Sequence, residues 1–244
     1  MIKTSLSQIY ITDSPAPNLP PFFQSTSDSV RAAFPDHDYT LYDAASLRGL
    51  IESEFEREVV NAFDRLRPYS YKADLAKYCL LFKKGGWYVD IGTRFMSRVS
   101  VSDNIRMIVF RDTGRHTLTP WAISCGLIYS KPESTVFQKA IEIIISNCKS
   151  DYYGITPLCP SGPNVFGEAL AMTRLKDGLL VGDALDLTPT HQRKNRAYVL
   201  PDGTVCAARK PAAGGDLQTL GGHGTNNYNS FWHARQVYEP ESPQ

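Results

Sequence analysis

An excess of charge of either sign is missing from this sequence of 244 residues. Lysine and arginine together number 26, aspartate and glutamate together number 25, and the net charge at pH 7 is +1. Proteins dedicated to nucleic-acid binding carry a clear basic excess, because they neutralise backbone phosphates. The balance of charge therefore argues against a nucleic-acid partner.

Cysteine is scarce, and no two cysteines have the C-x-x-C spacing of a structural zinc site. An odd and unpatterned set is typical of a reducing compartment and not of a secreted domain held by disulfides. The five cysteines are Cys79, Cys125, Cys148, Cys159 and Cys206.

Long hydrophobic runs are also absent, and none approaches the roughly 20 apolar residues that span a bilayer. The first eight residues lack the apolar stretch of a secretory signal. We therefore expect a cytoplasmic protein without a transmembrane segment, and we leave peripheral contact with the inner face of the membrane open.

The composition that remains is that of a globular domain, with 42% hydrophobic and 21% charged residues. Short strand-like runs alternate with helical patterns, and the last two strand-like runs are joined by a hairpin turn at 201–204. This alternation predicts an α/β fold with a mixed sheet flanked by helices. We predict a single domain over residues 1–236 and a C-terminal tail over residues 237–244.

The most informative segment covers residues 72–92, where a helical pattern ends at paired glycines and a strand follows. Asp74 and Lys77 lie one turn apart on one helix face. The helix rises about 1.5 Å per residue and the strand about 3.3 Å per residue, so both side chains reach the level of Asp90 on the returning strand. Alternation along the strand places Tyr88 on the same face as Asp90.

An aspartate at the end of an apolar strand is open to three interpretations. The Asp90 carboxylate could bind a divalent cation that neutralises a diphosphate, or it could accept hydrogen bonds from ribose hydroxyls. It could also cap the following loop through backbone N–H groups, which is the commonest role of an isolated aspartate of this kind.

The segment resembles the core of the DXD glycosyltransferases, which include bacterial capsular and lipopolysaccharide enzymes, yeast initiating α-mannosyltransferases and clostridial glucosylating toxins. The family pattern is a small residue, Asp, two residues, Arg, Tyr, a run of leucines, Tyr-Gly-Gly, an aromatic residue and hydrophobic-Asp-x-Asp. The matching residues here are Ala73-Asp74, Lys77-Tyr78, Leu80-Leu81, Gly85-Gly86-Trp87 and Val89-Asp90.

Weaker matches occur in the family's order over most of the chain, from about residue 8 to residue 233. They resemble the family's Ile-His-Gln start, its Pro-Asp-Tyr segment, its Thr-Gly-Pro stretch and its closing His and Ser-x-Trp elements. The residues concerned are Gln8, 35–43, Ser161-Gly162-Pro163, Gly222-His223 and Ser230-Phe231-Trp232.

The resemblance implies a GT-A-like, Rossmann-type mixed sheet and a nucleotide-sugar site. It implies that Asp74 holds hydroxyls of the donor sugar, and that Lys77 stands where the family has an arginine that contacts sugar or phosphate. The catalytic residues expected on this basis are Asp74, Lys77 and Asp90. The expected donor-binding residues are Gln8, Tyr10, Tyr88, Gly92, His223, Ser230 and Trp232.

The same resemblance implies Mn²⁺ or Mg²⁺ as cofactor, with Asp90, Asn227 and Ser230 as candidate ligands. The second aspartate of the DXD motif, usually the direct metal ligand, is replaced by Gly92. Three accounts stay open: a weak metal held by Asp90 and Asn227, a cationic side chain (Lys77 or Arg94) in place of the metal, or donor binding without turnover.

The function implied is transfer of a hexose from a UDP-sugar to a hydroxyl of a bacterial surface-glycan or glycolipid acceptor. We expect retention of anomeric configuration, because no residue stands out as the base of an inverting enzyme. The alternatives are a toxin-like effector that glycosylates a host protein and a degenerate protein that binds sugar nucleotides without catalysis.

Overall fold

The computed structural model describes residues 4–14, 18–113, 118–187, 196–211 and 217–240. The strands in these ranges are β1 (Ser5–Ile9), β2 (Asp38–Tyr42), β3 (Gly86–Val89), β4 (Arg94–Phe95), β5 (Met107–Asp112), β6 (Leu127–Ser130), β7 (Leu179–Asp186), β8 (Arg196–Val199) and β9 (Val205–Ala208). The helices are α1 (Pro21–Ala33), α2 (Ala44–Glu54), α3 (Arg57–Arg65), α4 (Tyr69–Lys84), α5 (Thr135–Lys149), α6 (Pro163–Thr173) and α7 (Tyr228–His233).

All these strands belong to one mixed sheet, in the order β2-β1-β3-β6-β5-β7-β8-β9-β4. β1 pairs in parallel with β2 and β3, and β5 pairs in parallel with β7. The pairs β3–β6, β5–β6, β7–β8 and β8–β9 are antiparallel. As a result, β1, β3, β5, β7 and β9 all point their carboxyl ends to the same edge of the sheet.

Helices cover both faces of this sheet. α2 to α6 pack on one face, where Tyr88 of β3 is buried against α4. α1 packs on the other face, where Val30 meets Trp87 and Val89. The alternation predicted for β3 is therefore confirmed, and so is the mixed α/β sheet flanked by helices.

The turn between α4 and β3 depends on its two glycines. Gly85 ends α4 with φ +61° and Gly86 begins β3 with φ +82°, backbone conformations that residues with a side chain rarely adopt. A Cβ on Gly86 would lie 2.1 Å from the carbonyl oxygen of Ser5 on β1. The paired glycines thus allow α4 to turn directly into β3, which pairs with β1. The short turn fixes the position of α4 relative to β3.

Three local features set the ends of these elements. Residues 44–66 form two helices and not one, because the backbone is extended at Phe55 and Glu56. β3 ends at Val89, and a turn follows. Val237 and Tyr238, assigned to the tail, are buried, and Tyr238 forms an isolated bridge with Leu66.

One predicted feature falls partly outside the described ranges: residues 241–244 of the C-terminal tail.

Candidate active site

The carboxyl edge of the sheet opens into a cleft of about 220 Å³. Side chains reach it from the ends of several strands: Tyr10 after β1, Asp90 after β3, Asp112 at the end of β5 and Lys210 after β9. Ligand sites of open α/β sheets lie at this edge, because loops from successive strands converge there. The position agrees with a small-molecule site.

A buried lysine ties two carboxylates together at the base of the cleft. Lys77 Nζ lies 2.9 Å from Asp74 Oδ1 and 3.5 Å from Asp90 Oδ1, and the lysine side chain is 4% exposed. It also donates to the Cys125 carbonyl over 3.1 Å and lies 4.5 Å from the Tyr88 ring centroid. The prediction that Asp74 and Lys77 on the helix reach Asp90 after the strand is therefore confirmed.

The charge of Lys77 is secured by these neighbours. Burial alone would lower the pKa of Lys77, but the Tyr88 hydroxyl and the carboxylates of Asp74 and Asp90 raise it well above its ordinary value. The lysine therefore stays protonated, and its positive charge is shared by both carboxylates.

Asp90 presents its carboxylate to the cleft. Its backbone N–H donates to the Gly126 carbonyl over 2.8 Å, Tyr88 Oη donates to Asp90 Oδ1 over 2.9 Å, and the side chain is 43% exposed. A Cβ on Gly126 would lie 2.8 Å from Asp90 Oδ2, so the glycine leaves room for the carboxylate. Burial opposes ionisation of Asp90, but Lys77 and Lys210 outweigh it and lower the pKa of this carboxyl.

Asp74 is held by Lys77 through one carboxylate oxygen and by Ser161 through the other. Ser161 Oγ donates to Asp74 Oδ2 over 2.9 Å, just before the start of α6. Burial raises the pKa of Asp74, and the nearby Lys77 and Ser161 oppose that rise. The Ser161-Gly162-Pro163 stretch thus meets the α4 motif, with Gly162 and Pro163 lining the cleft.

Gln8 lies beneath the site and contacts the backbone of Asp90. Its side chain is buried, accepts hydrogen bonds from Ser27 Oγ and Tyr39 Oη, and donates to the Asp90 carbonyl over 3.4 Å. Thr26 Oγ1 donates to the carbonyl of Ile91 over 2.6 Å. The predicted donor-binding residue Gln8 therefore contacts the backbone of Asp90, and it is not among the described residues that line the cleft.

Four charged residues of the cleft were not predicted from the sequence: Asp112, Arg196, Arg209 and Lys210. Arg196 at the start of β8 and Arg209 and Lys210 after β9 line the cleft, and Arg196 pairs with Asp112 of β5. Arg209 Nη1 lies 3.7 Å from Asp112 Oδ1. The signal available in the sequence was the Arg209-Lys210 pair directly after an apolar strand.

The C-terminal segment closes one side of the cleft. Thr225 and Tyr228 line it, and Tyr228 packs against Tyr71 with ring centroids 5.6 Å apart. Tyr10 also lines the cleft, and the backbone of His223 forms a hydrogen bond with its hydroxyl.

The other predicted C-terminal residues lie on α7. Asn227 caps this helix by accepting from the Asn229 N–H over 3.0 Å, and Ser230 is exposed. Trp232 Nε1 donates to the Tyr153 carbonyl over 2.8 Å. Donor contacts of His223, Ser230 and Trp232 stay predictions.

The region around this site matches a known family. Residues 20–113 match the model described as glycosyltransferase sugar-binding region containing DXD motif. This region is similar to the DXD-type sugar-binding regions of glycosyltransferases, and the match covers less than half of the 244 residues. The sugar-binding region includes Asp74, Lys77 and Asp90, so the resemblance found in the motif is confirmed there.

Similar solved structures include a protein described as PaToxG Glycosyltransferase, which is 16% identical with a TM-score of 0.47 over 70% of each chain. A cysteine-to-serine mutant of a transferase is 14% identical with a TM-score of 0.32, over 59% of this chain and 78% of the other. No curated protein matches the sequence. Among the described helices, none is both long enough and apolar enough to cross a bilayer.

Proteins with the DXD sugar-binding region commonly use a divalent metal. Mg²⁺ and Mn²⁺ prefer several hard oxygen ligands, but Gly92 offers no side-chain oxygen beside Asp90. In the described ranges, no three His, Cys, Asp or Glu side chains are grouped to hold an ion. Asn227 and Ser230 are not among the described residues that line the cleft. This donor set does not fit a metal site.

The variant Trp232→Phe tests whether the indole N–H of Trp232 contacts the donor or only stabilises the fold. The ring is kept and the indole N–H is lost, so the bond to the Tyr153 carbonyl cannot form. We expect urea denaturation to show a loss of about 1 kcal/mol in unfolding free energy, with the donor KM unchanged. A several-fold rise in donor KM at unchanged stability would contradict this and support the predicted phosphate contact.

Proposed function

We propose that this protein is a glycosyltransferase that moves a hexose from a UDP-sugar to a hydroxyl of a bacterial surface-glycan or glycolipid acceptor. The observation that carries the proposal is the buried Lys77 held between Asp74 and Asp90 at the base of a cleft, inside the DXD sugar-binding region. The choice of UDP-hexose and of a surface glycan follows the resemblance of the motif.

The two carboxylates are suited to orient a sugar. Each is fixed by at least two contacts, Asp74 by Lys77 and Ser161, Asp90 by Lys77 and Tyr88. A carboxylate whose position is fixed in this way can accept hydrogen bonds from sugar hydroxyls without further loss of side-chain entropy. In this proposal they hold the donor sugar so that its anomeric carbon faces the acceptor.

In the transfer, the bond between the anomeric carbon and the diphosphate oxygen breaks, and a bond to the acceptor oxygen forms on the same face of the sugar. The acceptor proton passes to the departing diphosphate. Two features support this retaining course. The described residues that line the cleft include no histidine, and both of the carboxylates at its base are already engaged, Asp74 by Lys77 and Ser161 and Asp90 by Lys77 and Tyr88.

The test is release of nucleoside diphosphate from a panel of UDP-hexoses and GDP-mannose by the purified protein, with and without Mn²⁺. We expect one UDP-hexose to be hydrolysed slowly without acceptor and faster with a glycan or glycolipid acceptor. If no donor releases its nucleoside diphosphate under any condition, the proposal is wrong. Acceleration by a protein acceptor alone would keep the glycosyltransferase and overturn the glycan acceptor.

A further inference from the structure

We propose that Lys210, assisted by Arg209, binds the diphosphate of the nucleotide donor in the place of a divalent cation. The inference rests on the proposed glycosyltransferase function and concerns how the same cleft holds its donor. It is carried by the position of Lys210 against Gly92, by the charges in the cleft and by the backbone that fixes both cationic residues.

The side chain of Lys210 lies against Gly92, where the DXD motif would have its second carboxylate. A Cβ built on Gly92 would lie 2.8 Å from Lys210 Cβ and 3.1 Å from Lys210 Cδ. Real Cβ atoms do not tolerate such contacts, so a side chain at position 92 would displace the lysine stem. Gly92 thus lacks the carboxylate of the DXD motif, and the cationic side chain of Lys210 packs against the same position.

The charges of the cleft favour an anionic ligand. Among the described lining residues, the cations are Lys77, Arg196, Arg209 and Lys210, and the carboxylates are Asp74, Asp90 and Asp112. The described lining therefore has one more cation than it has carboxylates, and two of its cations come from the segment that follows β9.

Arg209 has donor capacity beyond its described contacts. Its Nη1 atom is buried and makes no hydrogen bond within the described part of the chain, because the Asp112 carboxylate is 3.7 Å away. Its guanidinium lies over the Tyr198 ring, 5.7 Å from the centroid. A planar guanidinium held in this way is suited to phosphate oxygens.

The backbone fixes the position of both residues. The Arg209 N–H donates to the Arg196 carbonyl over 2.8 Å, which continues the β8–β9 pairing beyond the strand end. Pro211 follows Lys210 and restricts it to extended conformations. The two cations therefore lie at the carboxyl edge of the sheet, where they line the same cleft as Asp90.

The experiment measures UDP affinity by calorimetry in EDTA and with Mn²⁺. We expect the wild-type protein to bind UDP equally well in both. Lys210→Gln should weaken binding by about 10- to 100-fold in EDTA, the loss of one charge-assisted hydrogen bond. Lys149→Gln is the matched control, since Lys149 is exposed and pairs with Glu58 on the helical face. It should bind as the wild type does.

A second test changes Gly92, the residue against which Lys210 packs. Gly92→Asp and Gly92→Asn displace Lys210 to the same extent, but only the aspartate adds negative charge. We expect Gly92→Asp to bind UDP more weakly than Gly92→Asn in EDTA, and Mn²⁺ to restore binding to Gly92→Asp alone. Circular dichroism verifies that each variant is folded.

Two results would overturn the inference and leave the proposed function standing: wild-type UDP binding that requires Mn²⁺, or Lys210→Gln binding as tightly as Lys149→Gln. If UDP, GDP, ADP and CDP all fail to bind in either condition, the proposed function falls together with the inference.

Discussion

Asp90→Asn is expected to lower donor turnover by about 100-fold or more, because a carboxylate that positions the sugar for attack is replaced by a weaker and partly mismatched amide. The fold should persist. The amide can still accept from Tyr88 Oη, and Lys77 keeps its 2.9 Å contact with Asp74. The unfolding free energy should therefore change by about 1 kcal/mol or less.

The measurement is release of nucleoside diphosphate, with urea denaturation in parallel. Asp64→Asn is the matched control, because Asp64 is 44% exposed, close to the 43% of Asp90, and also pairs with a cation, Arg48. It lies on α3, outside the described cleft lining. Near-normal turnover of Asp90→Asn would show that the proposed site is wrong.

Lys77→Met is expected to lower the unfolding free energy by about 3–5 kcal/mol, the usual effect of removing one partner of a buried ion pair. The methionine fills most of the space, so the loss comes from the uncompensated charge of Asp74 and from the Cys125 carbonyl that loses its donor. A control at a partly exposed site, Lys139→Met, removes a surface pair with Glu142 and should lower the unfolding free energy by about 1 kcal/mol or less.

Two measurements identify the buried charge as the cause. In the double variant Asp74→Asn with Lys77→Met, the loss should be smaller than the sum of the single losses, because the unpaired carboxylate is gone. The loss in Lys77→Met should also shrink toward acidic pH. Burial raises the pKa of Asp74, so the folded variant takes up a proton more readily than the unfolded chain, which stabilises the folded state as the pH falls. Additive losses that do not vary with pH would contradict this account.

Local spacing was enough to predict the centre of the site. Asp74 and Lys77 share a helix that turns at two glycines into the strand leading to Asp90, and helix and strand geometry leave little freedom over so short a stretch. The same holds for the end of α4, where Gly85 and Gly86 mark the turn in the sequence as clearly as in the structure.

Contacts between distant segments could not be predicted in this way. Trp232 resembles a donor-binding residue in its motif, but its indole N–H meets the carbonyl of Tyr153, 79 residues away in the chain. Gln8 resembles a cleft residue, but its side chain is buried between α1 and the Asp90 backbone. In both cases tertiary packing decided which polar group the side chain meets.

The sequence by itself determined the mixed α/β class, the convergence of Asp74, Lys77 and Asp90, and the absence of a second carboxylate at Gly92. Only the tertiary structure showed that Lys210 lies over Gly92. More than a hundred residues separate the two, and they meet because β4, which begins two residues after Gly92, pairs with β9, which ends two residues before Lys210. Periodicity specifies which residues form strands, but the order of strands depends on packing of the whole chain, which no local pattern encodes.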